Sequence, residues 1–500
     1  MTAGRLDFEF RFFASGKPMR RPDAEQPMRI LVLADLSGTS GGSPLPERKP
    51  VLIDVDNAER IFARLAPRLT LTLDLPDDRQ EVVEIEFEHI EDFHPDKLFH
   101  RLPLFAAMRR QRDELASPAT FMQAATAYGL LNPVASQTTQ AGAETDAETL
   151  GRLLGRSPEP TPAGAPGMVE RLLQEVVKPH VVPDIAAVQA QVLAAHDMRL
   201  SETMRRILHH PMFQRLEATW RGAWKLATEL ETGEQLQLGL MDITRTEIDA
   251  DLRDHAQDLS RSALYRMLCG ARHEAPDSAP WSLVVCDASF SMDERDATTL
   301  TGLGLIAKQA GTPMLAAAHP SMFGCTTMQA VVGQQPWPEI PAAERTRWQV
   351  LRESAFAPWL GLALPRVLQR LPYGARTDPV ESFRFEEFDA VPEHEDYLWG
   401  NPAYGLAFLA GRAFAEQGWD LVLDMQLDLE DLPSHIRRDA KGETFQQPCA
   451  ELLMNESIAQ KLLELGLMPL MSYRGRNAAR LLRWQSIAHP ARALAGAWAG

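Results

Sequence analysis

The stretch RILVLAD at 29–35 runs almost without a polar side chain, and VLIDVD at 51–56 follows a loop at 37–50 rich in Gly, Ser and Pro. A short unbroken apolar run bounded by turn formers predicts a buried strand over 29–35, and 51–56 reads as another strand or as a strand entering a helix. NAERIFARLAP then places Ile61, Phe62 and Leu65 at helical spacing. EVVEIEFEHI at 81–90 alternates, with Val83, Ile85 and Phe87 on one side and Glu84, Glu86 and Glu88 on the other, as a half-exposed strand does. Leu104, Phe105, Met108 and Leu115 share one face of the short helix that closes this region.

Across 117–167 the periodicity stops. ASQTTQAGAETDAET and GRSPEPTPAGAPG are poor in large apolar residues, so burial there cannot offset the entropy of ordering, and the segment reads as a flexible linker. Pattern returns at MVERLLQEVVK, where Met168, Val169, Leu172, Leu173, Val176 and Val177 form one apolar stripe that Pro179 and Pro183 bring to an end. Strands are predicted over LQLGLMDI (236–243) and WSLVVCD (281–287), several helices between 299 and 372, and another helix over 401–417. The mixture predicts an α/β (mixed α+β) chain in three parts: a domain over 1–116, a linker over 117–167 and a second domain over 168–500.

Residues 207–222, ILHHPMFQRLEATWRG, raise a chemical question. His209 and His210 are neighbours, about 100° apart on a helix, whereas a helical zinc pair needs i, i+4 spacing. Pro211 belongs at the first turn of a new helix. From there Phe213, Leu216, Trp220, Trp224 and Ala227 fall on one stripe, and Glu217 and Arg221 are an i, i+4 pair along its flank. This is a core helix with wide aromatic anchors, or an interaction helix that a partner covers.

Composition narrows the classes. At 500 residues with 45% apolar content the chain affords more than one core. A net charge of −17 argues against nucleic acid or an anionic membrane as partner. No apolar run is long enough to span a bilayer, and charges interrupt the N-terminal stretch where a signal peptide would need an apolar core, so a cytoplasmic protein is expected. Cys269, Cys286, Cys325 and Cys449 are scattered and read as buried thiols.

Candidate chemistry is sparse. TGLGLIA (301–307) fits GxGxxA but does not directly follow a strand, so close helix packing explains it better than a dinucleotide. Two strand ends are alike: Asp35-x-Ser37-x-Thr39 and Asp287-x-Ser289-x-Ser291. They resemble the metal-ion-dependent adhesion site of von Willebrand A domains, where short oxygen ligands hold Mg²⁺, or they cap the next turn or helix. SYRGRNAARLLRW (472–484) is basic and reads as a phosphate patch, a solvated helix face or a protein contact. No GxSxG, HExxH or P-loop occurs, and no catalytic residue, cofactor or metal site is assigned.

Several stretches together resemble a known family. ILHHPMFQRLEATWRG, LSRSALYRML (259–268), GTPMLAAAHPSMFG (311–324), WQVLRESAFAPWLGLALPRVLQRLPYG (348–374), FRFEE (383–387), YLWGNPAYGLAF (397–408), EDLP (430–433) and WQSIAHP (484–490) resemble, in order, the large contractile-sheath subunit of the type VI secretion system (TssC/VipB-like). LVLADLSG (31–38), RKPVLIDVDN (48–57) and LAPRL (65–69) resemble the small subunit (TssB/VipA-like). The resemblance implies a small subunit fused to a large subunit that lacks its usual C-terminal part, with two subunit-like lobes packed as an intramolecular heterodimer. It implies a structural, non-enzymatic role in the sheath or at its end. Partners would be other sheath subunits or copies of this chain, the inner-tube protein, baseplate components and the ClpV AAA+ ATPase. It also implies an intramolecular docking helix at Leu104, Phe105, Met108 and Leu115, a core signature helix at Phe213, Leu216, Glu217, Trp220, Arg221 and Trp224, and an ATPase-handle helix at Met168, Val169, Leu172, Leu173, Val176 and Val177. Two alternatives are a sheath-like accessory protein that does not contract (a cap, baseplate adaptor or assembly regulator) and a metal-dependent binding module using Asp35 or Asp287.

Overall fold

The computed structural model describes residues 22–38, 42–75, 80–130, 185–270, 279–388, 391–438 and 442–499. The linker expectation over 131–167 and the handle stripe Met168–Val177 lie outside them. Fifteen strands are present among the described residues. The first region supplies β1 (Met28–Ala34), β2 (Val51–Ile53), β3 (Arg68–Asp74) and β4 (Gln80–Glu86). The rest supplies β5 (Leu236–Asp242), β6 (Leu283–Phe290), β7 (Met314–Ala318), β8 (Leu360–Leu364), β9 (Val367–Leu368), β10 (Trp399–Gly400), β11 (Asp428–Leu429), β12 (Ile436–Arg438), β13 (Thr444–Gln446), β14 (Leu467–Ser472) and β15 (Ala479–Leu481). The helices are α1 (Ala58–Leu65), α2 (Pro95–Arg101), α3 (Ala106–Ala116), α4 (Phe121–Ala127), α5 (Ile185–Leu208), α6 (Pro211–Glu229), α7 (Arg245–Asp254), α8 (Ala263–Cys269), α9 (Glu294–Ala310), α10 (Met328–Gly333), α11 (Ala342–Arg352), α12 (Pro402–Gln417) and α13 (Glu456–Glu464).

The larger of two units takes in Met1–Arg101 and Thr203–Gly500. Its nine-stranded sheet runs β11-β15-β14-β8-β7-β6-β1-β5-β2. The first region therefore does more than pack against the second: its leading strand lies inside the second region's sheet. β1 pairs in parallel with β5 from Met28↔Leu236 to Ala34↔Asp242, and with β6 from Ile30↔Leu283 to Leu33↔Cys286. A strand in the middle of a parallel sheet is covered on both faces, which is why RILVLA carries no alternation. Leu31 and Leu33 enter a core with Ile248 and Leu252 of α7 and Leu300, Leu303 and Ile306 of α9. Ile30 points the other way, toward α12, where a Cβ on Gly411 would already lie 3.5 Å from the Ile30 side chain. The alternating EVVEIE segment is the counter-case: β3 and β4 form a separate antiparallel ribbon with one face buried and one exposed.

TGLGLIA lies inside α9, where a Cβ on Gly304 would fall 2.4 Å from the Phe356 ring, so those glycines serve packing as expected. The basic stretch 472–484 is not a helix: it leaves β14 through a turn into β15, because strand pairing to Leu470 and Met471 recruits Arg480 and Leu481. All four cysteines are free and buried. Among the described residues no helix is long and apolar enough to cross a membrane.

The smaller unit, Leu102–Glu202, contains α3, α4 and most of α5. Ordered structure here continues past 116, so the linker expectation fails for 117–130. Leu115, Phe121 and Ala125 are fully buried and pack with Val188, Val192 and Leu193, and three helices burying a shared apolar face are stable where one alone is not.

Candidate functional site

The signature helix α6 is where the two regions are joined. Its N-cap is His210, whose Nδ1 accepts from the Met212 N–H at 3.2 Å, with Pro211 in the first turn. His209 turns elsewhere, its Nε2 3.5 Å from Glu387. The adjacent histidines diverge and share no ligand.

Most of α6 is committed, while Met212 and Arg215 stay exposed. On the apolar stripe, Phe213 meets Phe93 at 5.6 Å and Phe87 at 6.0 Å between ring centroids, and Trp220 meets Phe62 at 4.4 Å. Trp224 reaches the same Phe62 at 6.4 Å. Trp220 Nε1 also donates to the carbonyl of Leu36 at 2.8 Å, so the indole is both buried and satisfied. The aromatic anchors of α6 thus carry first-region residues, and Leu216, almost wholly buried, lies beside them. On another side Gly222 admits the ring of Tyr404 from α12, and Thr219 donates to Asp287 on β6 at 2.6 Å.

The flanking pair Glu217 and Arg221 is the start of a buried ion network. Glu217, fully buried, accepts from Arg221 Nε at 2.8 Å and from Arg370 Nε at 2.8 Å. Arg370 continues to Glu387 through two bonds of 2.7 and 3.1 Å, and Glu387 also accepts the Tyr373 N–H at 2.7 Å. Arg221 donates to the Tyr373 hydroxyl at 3.1 Å. Burial pushes the Glu387 carboxyl upward, but Arg370, His209 and the Tyr373 N–H outweigh it and hold its pKa at about 2. Burial pulls Arg370 down, and Glu217 and Glu387 reverse that, leaving it well above its ordinary value. Each carboxylate here is held by a buried guanidinium, which fixes the geometry of the network. Arg370, Tyr373 and Glu387 lie in stretches that carry the family resemblance, but their pairing with Glu217 is non-local and spacing gives no signal of it.

The predicted docking helix has a mixed placement. Phe105 and Leu115 are fully buried, while Leu104 and Met108 are half-buried. Within the smaller unit α3 is tied to α5: Arg112 Nε donates to Asp197 at 2.8 Å, His196 Nε2 lies 2.9 Å from the Met108 carbonyl, and Gln189 donates to the Leu115 carbonyl at 2.8 Å.

At the carboxyl ends of the parallel strands lies a crevice of about 930 Å³, lined by Asp35, Arg215, Arg245, Asp287, Arg366 and Asn401 among others. It brings the two similar strand ends side by side, since β1 and β6 are neighbours. Thr39 of the first motif lies outside the described residues, and the described ligand candidates are already engaged. Asp287 Oδ2 is taken by Thr219 and, at 3.1 Å, by the Tyr404 hydroxyl, while Ser291 turns away to bond Asp296 at 2.7 Å. Asp35 accepts the Gly38 N–H at 3.0 Å, a turn-capping role. At the far end His394, Glu395 and Glu451 bring ligand atoms within 4.8 Å of one another. The Arg366 guanidinium already holds both carboxylates, at 2.8 Å to Glu395 and 3.0 Å to Glu451, and takes the place a cation would need. Cys286, also on the crevice wall, has its thiol pushed by burial to about 12, so it offers no thiolate.

Two family models match the chain in tandem. The one described as "Type VI secretion system, VipA, VC_A0107 or Hcp2" covers residues 15–139, and VipB, described as "EvpB/VC_A0108, tail sheath N-terminal domain", covers 190–488. Over 305 residues the chain is 30% identical to the type VI secretion system sheath protein TssC1 of Pseudomonas aeruginosa, taking in 60% of this chain and 61% of that protein. The chain spans about three fifths of the length of the curated relative it matches. With the VipB match alone covering more than half of its residues, the chain belongs to the type VI secretion tail-sheath family, with a VipA-type and a VipB-type region fused in one polypeptide.

Proposed function

We propose that the protein is a structural, non-enzymatic, cytoplasmic component of a type VI secretion system: a preassembled small/large sheath protomer that associates laterally with sheath subunits or with copies of itself. The observation that carries this reading is the insertion of β1 between β5 and β6, which makes the two regions one folded body at a fixed one-to-one ratio. The anchors Phe213, Trp220 and Trp224 support the same reading, since they are spent on holding the first region. Leu104, Phe105, Met108 and Leu115 form a second clasp in this reading: the first two lie in a 3-10 turn (Pro103–Phe105) leading into α3, and Leu115 of α3 packs in one apolar cluster with Val188, Val192 and Leu193 of α5. The domain boundaries in this reading follow the family matches, with the joining segment between 139 and 190. Inner-tube protein, baseplate components and a ClpV-type ATPase are the partners this role would bring.

A heterologous contact that does not close into a ring gives a helical filament. Electron microscopy of the purified chain, alone and mixed with the other secretion components, tests this directly. Tubes, or incorporation into tubes, are the expected result. Discrete particles under both conditions would overturn it in favour of a sheath-like accessory role.

A further inference from the structure

The crevice has a position that matters. After β1 the chain supplies β2 and then β5 on one side of it, and from β5 it crosses over β1 to β6 on the other. The helix α6, which precedes β5, packs with α12, whereas α9, which follows β6, belongs to the core on the Leu31 and Leu33 face. The carboxyl ends of β1 and β6 therefore flank a topological switch point, the place where open parallel sheets form a ligand crevice. The crevice passes the ends of β5, β1, β6, β7 and β8, since Ile243, Asp35, Asp287, Ala318 and Leu364 all line it. At about 4.8 Å between strands that is a groove of about 19 Å. Its volume is that of a ligand site.

Its charges do not balance. Of the charged side chains on its wall, Arg245 is committed to Asp249 at 2.9 Å and Asp296 at 2.6 Å, outside the crevice. Arg366 is committed to Glu395 and Glu451. That leaves Asp35 and Asp287 facing Arg215, two negative charges against one positive. Burial raises the pKa of both aspartates, with Asp242 adding to the rise at Asp35; the hydrogen bonds from Gly38 to Asp35 and from Thr219, Tyr404 and Asn401 to Asp287, and then the charge of Arg215, offset this only in part. Both residues line the crevice: Asp35 carries the Gly38 N–H on one oxygen, and Asp287 carries Thr219 and Tyr404 on one oxygen, so each keeps an acceptor for a cation.

We propose that this crevice binds an extended ligand bearing an alkyl-ammonium or guanidinium group, which lodges between Asp35 and Asp287 with its chain along the ends of β6, β7 and β8. Ser289 and Thr326, both exposed on the wall, add neutral hydroxyl groups along it. The same chemistry comes from two sources, a free polyamine or a lysine or arginine side chain of a protein segment. The inference is independent of whether the chain polymerises.

The test uses the purified full chain and two probes, spermidine and a fluorescent Ala-rich hexapeptide with one central Lys, titrated by calorimetry and by fluorescence polarisation. Asp35→Asn and Asp287→Asn keep the acceptors for Gly38, Thr219 and Tyr404, so the fold is retained and only charge is removed. Each is expected to weaken binding about tenfold, the loss of one charge-assisted contact. Ser289→Trp, at an exposed wall position, is expected to block binding by filling the groove. Peptide binding alone identifies a protein segment, and spermidine binding alone a small polyamine. Failure of both probes, or binding that all three variants leave unchanged, overturns the proposal.

Discussion

Trp220 states the residue-scale logic. Its ring is fully buried against Phe62 and its N–H is bonded to Leu36, so truncation removes packing and leaves that carbonyl without its partner. Trp220→Ala is expected to cost about 3–5 kcal/mol in urea unfolding, and Trp220→Phe clearly less. Glu387 makes a pH prediction. Its folded pKa of about 2 lies below the ordinary 4.5, so its ionised form contributes stability that is fully present above pH ~4.5 and lost as pH falls toward 2. The contribution is on the order of 3 kcal/mol. Glu387→Gln should flatten that part of the stability–pH curve, and an unchanged acid limb would remove the network from the account. The sequence made half of this legible. The i, i+4 spacing of Glu217 and Arg221 was readable because a helix fixes it. Their partners Arg370 and Glu387 were not, because a buried ion network forms between segments 153 residues apart in the chain. The two aspartates stand out as a repeated motif, but only strand pairing puts them in one crevice.

At the scale of elements, apolar runs and alternation were reliable where the environment was uniform. RILVLA could be read as buried because a central parallel strand demands it, and EVVEIE as half-exposed because β4 sits in a two-stranded ribbon. The basic 472–484 stretch misled, since Arg476 and Arg480 suggest a helix face but Arg480 pairs with Asp428 across a strand. The linker boundary misled too, because Phe121 with its small neighbours looks weak until α3 and α5 cover it. The strand arrangement makes a further prediction. Cutting the chain between the two family-matched stretches should leave both fragments co-eluting. They should still do so with Leu104→Asp and Met108→Asp combined, since β1 remains hydrogen-bonded on both sides. Separation of the fragments by those two substitutions would mean that α3, and not the sheet, holds the regions together.

For the whole molecule, the consequence is cooperativity. A chain made of two docked lobes opens lobe by lobe, whereas one whose first strand is third from a sheet edge in another region opens as a unit. The family resemblance conveyed that two subunit types are fused. It did not convey that the fusion has no dispensable half. Native-state hydrogen exchange under rising urea tests this most directly. Segments 28–34, 236–242 and 283–290 should lose protection together, at the global unfolding midpoint. Loss of protection in 28–34 at lower urea, with the other two intact, would show that the first region detaches on its own and would contradict the shared sheet.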